Sequence, residues 1–168
     1  MTSGCADADW LATVSLEPMT PSDVPTVVAL DKLCFPSAWS QESYLRELRN
    51  RTSHYVVARL EQAIIGFAGM WLIGDEAHIS TLAVHPCYRR RGLAKRLLVH
   101  LLGTAEQAGA SEVTLEVREK NAAARALYES FGFVSRSFIP RYYGDTGENA
   151  VVMAKRLPGP KAGETDSG

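Results

Sequence analysis

Residues Ile79–Leu102 read ISTLAVHPCYRRRGLAKRLLVHLL. The first six have the composition of a buried strand. The middle is a basic turn with one glycine, Gly92, and the end opens an apolar helical stripe of Leu93, Leu97, Leu98, Leu101 and Leu102 that continues to Ala105. A strand that enters a helix through a glycine turn leaves several backbone N–H groups unsatisfied at the helix start. Together with the helix dipole they make an anion site. Arg89, Arg90, Arg91, Lys95 and Arg96 add charge around it. The pattern predicts a polyphosphate ligand, part of a cofactor.

The neighbouring segments define the sheet. Thr13–Glu17 alternates as a first strand. Pro21-Ser22-Asp23 starts a helix whose apolar face is Val24, Val27, Val28, Leu30 and Leu33. The loop FPSAWS follows at 35–40, and Ser40 caps a short helix to about Arg49 with Tyr44, Leu45 and Leu48 inward. His54–Leu60 and Ala63–Ile73 are two strands joined by Glu61-Gln62, a hairpin spacing. Ala77–Val84 is the strand before the basic turn, and Gly109 ends the helix after it. Glu112–Val117 alternates strictly, with Val113, Leu115 and Val117 on one face and Thr114, Glu116 and Arg118 on the other. Asn121 caps a helix to about Ser130 with Leu127 and Phe131 packed, and strands are expected at Phe133–Ile139 and Ala150–Leu157. The strand–helix–strand unit from 77 to 117 needs a right-handed crossover, which makes its two strands parallel neighbours. The expected fold is α/β: a mixed, mostly antiparallel sheet with a central parallel pair and helices on both faces.

With 168 residues, 46% hydrophobic and 22% charged, the chain is expected to form one domain over 1–157. A loose leader at 1–10 and a disordered tail at 158–168 flank it. No apolar run approaches a membrane span, and the N-terminus lacks the basic-then-apolar pattern of a secretory signal. Cys5, Cys34 and Cys87 are odd in number and widely spaced, which suits free thiols in a reducing, cytoplasmic setting. The net charge is −1, yet five of the 18 basic residues crowd into 89–96; the remainder carries 13 basic against 19 acidic residues. A basic cofactor site on an acidic remainder suits a cationic second substrate, and equally a solvated acidic surface. Five clustered charges without an extended stripe do not make a nucleic-acid surface.

A Walker loop needs several glycines before Lys-Ser/Thr, and a dinucleotide loop needs GxGxxG; this turn offers only Gly92 and Ala94. What remains is R-x-x-G-x-A, from Arg89 to Ala94. With LEVREKNAAARALYESFGF after it, FPSAWS before it and RYYGDTGENAVVMAK late in the chain, it resembles the GNAT superfamily of acyl-CoA-dependent N-acyltransferases. The resemblance runs from about Leu16 to Leu157 and is strongest to the RimI-type subgroup, which acetylates protein N-termini. Ala38 before Trp39 and Asn149 after Glu148 depart from the subgroup's usual Pro and Asp, on the peptide side.

The resemblance implies acetyl-CoA as donor. Main-chain N–H groups from Arg90 through Arg91, Gly92, Leu93 and Ala94 to Lys95 would hold its pyrophosphate, and Leu82, Ala83 and Val84 would align the pantetheine arm as an added strand. It also implies Glu116 as general base, Tyr128 as general acid to the leaving thiolate and Asn121 as a cofactor contact. Phe35, Trp39, Tyr142 and Tyr143 would wall the peptide entrance. Glu116 also reads as a salt-bridged surface residue, Tyr128 as a core aromatic, Asn121 as a simple cap, and the four aromatics as loop packing. Cys87 lies beside the turn, but no positioned His or acid partner supports a covalent route. His54, His78, His85 and His100 lack metal-ligand spacing, so no metal is expected. The implied reaction is Nα-acetylation of a protein N-terminus, most directly the alanine of the small-subunit ribosomal protein eighteen, by a monomer or weak dimer. The competing readings are a broader N-terminal, lysine or small-amine acetyltransferase, and a non-catalytic acyl-CoA-binding module.

Overall fold

A computed structural model describes residues 10–158. The tail expected at 158–168 lies outside the described residues save Pro158, and the leader at 1–10 lies outside them save Trp10. Seven strands, β1 (Val14–Pro18), β2 (Ser53–Leu60), β3 (Ala63–Ile73), β4 (Glu76–Val84), β5 (Glu112–Arg118), β6 (Val134–Tyr143) and β7 (Glu148–Arg156), form one sheet in the order β1-β2-β3-β4-β5-β7-β6. The helices with described bounds are α1 (Val24–Cys34), α2 (Gln41–Leu48), α3 (Leu93–Gln107) and α4 (Ala122–Ser130). β4 and β5 are parallel, whereas β1–β2, β5–β7 and β6–β7 are antiparallel. This is the mixed sheet with a parallel pair that the crossover spacing requires.

Contacts divide the chain into two compact units. The first takes the described residues up to Met70 with Thr81–Leu101, and the second takes Trp71–Ser80 with residues from Leu102 onward. In the first, Val24, Val27, Val28 and Leu30 of α1 pack with Tyr44, Tyr55, Val57, Phe67 and Ala83. Leu33 does not join them. It is 61% exposed because it lies half a turn round the helix from Val24 and Val28. The inward position one turn beyond Val27 and Val28 is Asp31, a buried carboxylate that accepts the Tyr44 hydroxyl at 2.6 Å and the Trp39 N–H at 3.2 Å. Those bonds tie the 35–40 loop and α2 to α1, and Ser40 caps α2 by accepting the Ser43 N–H. Gly69 is needed for close packing: a Cβ there would stand 2.1 Å from the Tyr55 ring.

The second unit is built on β5, whose Val113, Leu115 and Val117 are buried on one face together with Val151 and Met153 of β7, while Ala150 and Ala154 are buried on the opposite face. Its α3 segment ends in a Schellman motif. Ala110 N–H donates to the Ala105 carbonyl and Gly109 N–H to that of Glu106, with Gly109 left-handed at φ 86°. On α4 the buried residue is Tyr128, with Leu127 and Phe131 only half-buried, because the helix turns its Tyr128 side onto Phe133. β6 runs further than expected, to Tyr143, so Tyr142 and Tyr143 stand at a strand end rather than in a loop.

Gly69→Ala is expected to cost about 2 kcal/mol or more by overpacking against Tyr55, read as a lower urea midpoint at unchanged slope. His54 and His100 stack at 5.2 Å with their Nε2 atoms 3.0 Å apart. Burial pushes both imidazoles below their ordinary range; the other ring adds to this at His54, and the Arg96 charge adds to it at His100. The unfolded chain therefore binds protons more readily at these sites. Their stabilising contribution is complete above a pH of about 6.5 and is lost as pH falls through the lower folded values. Urea midpoints should drop between about pH 7 and pH 5, and drop less in His54→Asn/His100→Asn.

Candidate active site

In the first unit the site is the end of β4 and the basic turn. The parallel register of β4 with β5 runs from Glu76↔Glu112 to Ile79↔Leu115, yet β4 continues to Val84. Along Leu82, Ala83 and Val84 the strand therefore has no β5 partner among the described residues. Gly66 is bare where β3 meets this segment, since a Cβ would lie 3.0 Å from the Ala83 carbonyl. The His85 N–H donates to the Ile65 carbonyl at 2.8 Å, which turns the chain off the sheet. Beyond a 3-10 turn at Pro86–Tyr88, both Arg90 (φ 65°) and Gly92 (φ 89°) are left-handed. Tight turns of this kind collect successive N–H groups into an anion-binding concavity, and here it opens onto the start of α3.

The five basic side chains of the turn do not act as one cloud. Arg89 Nε donates to the Val84 carbonyl at 3.0 Å, and Arg96 donates to the carbonyls of Leu11 (2.9 Å) and Val14. Arg91 lies over the rings of Trp10 and Tyr88, at 5.3 and 5.9 Å, and those two rings stack on each other at 5.8 Å. Trp10, the last residue of the expected leader, thus packs against the turn. Arg89, Arg91 and Arg96 brace the turn and the segment before β1, although Arg89 and Arg91 stay exposed like Arg90 and Lys95. Phe35 packs against the core of this unit, and Trp39 is 38% exposed with its ring 5.3 Å from that of Tyr44.

In the second unit the centre is Glu116, on the polar face of β5. Its Oε1 lies 3.0 Å from His78 Nε2 and 3.5 Å from the Tyr142 hydroxyl. The Glu116 and His78 side chains are 23% and 27% exposed, so the carboxylate is sheltered yet reachable. His78 Nδ1 is 2.8 Å from Thr114 Oγ1, and the His78 ring stacks on Trp71 at 5.8 Å. Burial, with the Glu116 carboxylate beside it, pushes the Tyr142 phenol up, so that hydroxyl keeps its proton and donates. Tyr143 stands edge-on to Tyr142 and lies under the Arg118 guanidinium, 4.0 Å from its ring centre. Arg118 also pairs with Asp145 at 2.8 Å and Glu148 at 3.4 Å, which fastens the β6–β7 turn to the end of β5.

The structure thus groups Glu116 with Tyr142 and Tyr143, and it places Asn121 and Tyr128 together on α4. Asn121 is the helix cap, accepting the Ala124 N–H at 3.1 Å. Tyr128 is buried edge-on against Phe133, and that burial pushes its phenol up to about 12. His78 and Thr114 lie outside the quoted motifs, and Arg118 lies within LEVREKNAAARALYESFGF without a role assigned to it there. The signal for His78 is parity: once β4 and β5 pair in parallel with His78 opposite Thr114, it shares a face with Glu116. That register is not written in either strand alone. Cys87 is exposed, and its N–H, not its thiol, bonds His85.

Comparison with known proteins adds the lineage. The acetyltransferase (GNAT) family model matches residues 24–133. The ribosomal protein bS18-alanine N-acetyltransferase of Escherichia coli is 35% identical over 137 residues, covering 79% of this chain and 90% of that one. The N-alpha-acetyltransferase RimI of Mycobacterium tuberculosis is 34% identical over 148 residues, covering 84% and 92%. The crystal structure of the Escherichia coli ribosomal-protein alanine N-acetyltransferase superposes with a TM-score of 0.80 at 30% identity, covering 86% of this chain and 94% of that one. With the family pattern matched over most of its length and the same fold beneath it, the chain belongs to the GNAT family of acetyltransferases.

Proposed function

We propose that this enzyme transfers the acetyl group of acetyl-CoA to the α-amino group of a protein N-terminus, in a ternary complex without an acyl-enzyme. Its target is the alanine N-terminus of the small-subunit ribosomal protein eighteen, and it acts in the cytoplasm as one catalytic domain over 1–157. The observation that carries the reading is the sheltered carboxylate of Glu116 on the polar face of β5, with a phenol and an imidazole on one of its oxygens. The names of the two relatives supply the acceptor class. Among the described residues no helix is long and apolar enough to cross a membrane.

The residues fit a coenzyme A ligand. The β4 segment without a β5 partner offers backbone groups on that side to an extended amide-bearing arm, as an added strand would require. The left-handed turn at Arg90 and Gly92 offers N–H groups to a pyrophosphate, with Lys95 beside it. Leu93 and Ala94 extend that run of N–H groups into α3, and Asn121 is a further contact. The bound donor supplies an activated thioester carbonyl, and a backbone N–H near Val84 polarises it.

The protein's own contribution is proton management. An α-ammonium has a pKa of roughly 8 and a lysine ammonium roughly 10.4, so neutralising the lysine costs about 3 kcal/mol more at neutral pH. Glu116 takes the proton from the incoming ammonium, directly or through water. Tyr128, whose phenol holds its proton tightly, gives one to the departing thiolate. Phe35 and Trp39 in the first unit, and Tyr142 and Tyr143 in the second, are the aromatics assigned to the peptide. In the second unit Asp145 and Glu148 pair with Arg118, and Glu116 is the carboxylate offered to a cationic N-terminus.

Glu116→Gln should lower kcat about a hundredfold or more while calorimetry shows acetyl-CoA still bound; unchanged turnover would remove Glu116 as the base. An Ala-starting basic peptide should be acetylated faster than the same peptide with a blocked N-terminus and a free lysine. Mass spectrometry of the products decides this, and the reverse order would defeat the Nα assignment.

A further inference from the structure

The reading of Glu116 as base leaves open which of its oxygens works and what aims it. Among the described residues both hydrogen bonds of the Glu116 side chain fall on Oε1, from His78 Nε2 at 3.0 Å and from the Tyr142 hydroxyl at 3.5 Å. An ionised carboxylate only accepts, so Nε2 must carry the hydrogen of that 3.0 Å contact. In the neutral ring Nδ1 is then the acceptor, and the 2.8 Å contact is a bond donated by the Thr114 hydroxyl. Trp71, stacked on the imidazole at 5.8 Å and 23°, holds the ring plane. The groups facing His78 are therefore Thr114 and Glu116 on β5 and Trp71 on β3, with Tyr142 of β6 acting on the same carboxylate oxygen.

We infer that His78 is the positioning residue of the base. Thr114 selects its Nε2–H tautomer, and that N–H pins Oε1, so that Oε2 is the atom turned to the amine. The inference rests on Glu116 being the base proposed above. In the step it organises, an N–H bond of the incoming ammonium breaks and an O–H bond forms on Oε2. The electron pair stays on nitrogen for attack on the thioester, and His78 keeps its own proton throughout.

The test uses the full chain with acetyl-CoA and an Ala-starting basic peptide. His78→Leu is expected to lower kcat about tenfold or more at unchanged KM for acetyl-CoA. The acid limb of its kcat profile should move to higher pH, because a carboxylate that loses an N–H donor is protonated more easily. His78→Gln, whose amide N–H can still reach Oε1, should recover much of the rate, and Thr114→Val should shift the limb in the same direction by less. Circular dichroism checks that each variant is folded. An unmoved acid limb would overturn the inference, and so would a limb moved to lower pH, which would make His78 itself the proton acceptor. A second readout is independent of turnover: imidazole nitrogen shifts by NMR should show His78 as the Nε2–H tautomer at about pH 8, where an unperturbed imidazole is neutral. Finding the Nδ1–H tautomer overturns the inference even if transfer is never seen. Wild-type enzyme that transfers no acetyl group to any N-terminal amine, with the tautomer as expected, would defeat the proposed function and leave the positioning bond standing.

Discussion

The parallel pairing of β4 with β5 over only four residue pairs is the constraint on which the rest of the structure depends. A parallel neighbour demands a crossover, and α3 supplies it, entered through Gly92 and closed by the Schellman turn at Gly109. The pairing puts His78 opposite Thr114 and so puts a histidine beside Glu116. Its early end leaves the last residues of β4 without a β5 partner, where an extended ligand can complete the strand. A longer ladder would spend those backbone groups within the sheet. One short register thus leaves the last β4 residues without a β5 partner and sets the neighbourhood of Glu116.

Charge is divided in the same economical way. Arg89, Arg91 and Arg96 serve the protein: they bond the carbonyls of Val84, Leu11 and Val14 or cover aromatic faces. Fixing the turn with guanidinium groups has a physical advantage, because a planar donor fork can hold several carbonyls in one geometry. The course of the main chain through the turn is set by the left-handed residues at 90 and 92. In the second unit Arg118 plays the corresponding part among acids. It fastens the β6–β7 turn through Asp145 and Glu148 and lies over Tyr143, whose neighbour Tyr142 reaches Glu116.

Local pattern carries far where local forces dominate. The alternation of Glu112–Val117, the leucine stripe of α3, the caps at Ser40 and Asn121 and the glycine stop at 109 depend on residues a few positions apart, and each appears as expected. Leu33 shows the limit: pattern alone assigns this apolar residue at the end of an amphipathic helix to the inward face, while the inward position belongs to Asp31. That carboxylate is tolerated in the interior because Tyr44 and the Trp39 N–H satisfy it, and both partners lie outside its helix.

By itself the sequence determined the crossover unit, the glycine turn, the mixed sheet and, through its resemblance to a family, the identities of Glu116 and Tyr128 as candidates. The first three follow from periodicity and turn chemistry, which act over a few residues; the two candidates rest on the resemblance. Only the tertiary structure decided which basic residues are structural, that Trp10 belongs to the turn and that His78 meets Glu116. Each of these is a contact between residues distant in the chain, set by strand register and by the packing of one element on another. No stretch of sequence contains that information until the chain has folded.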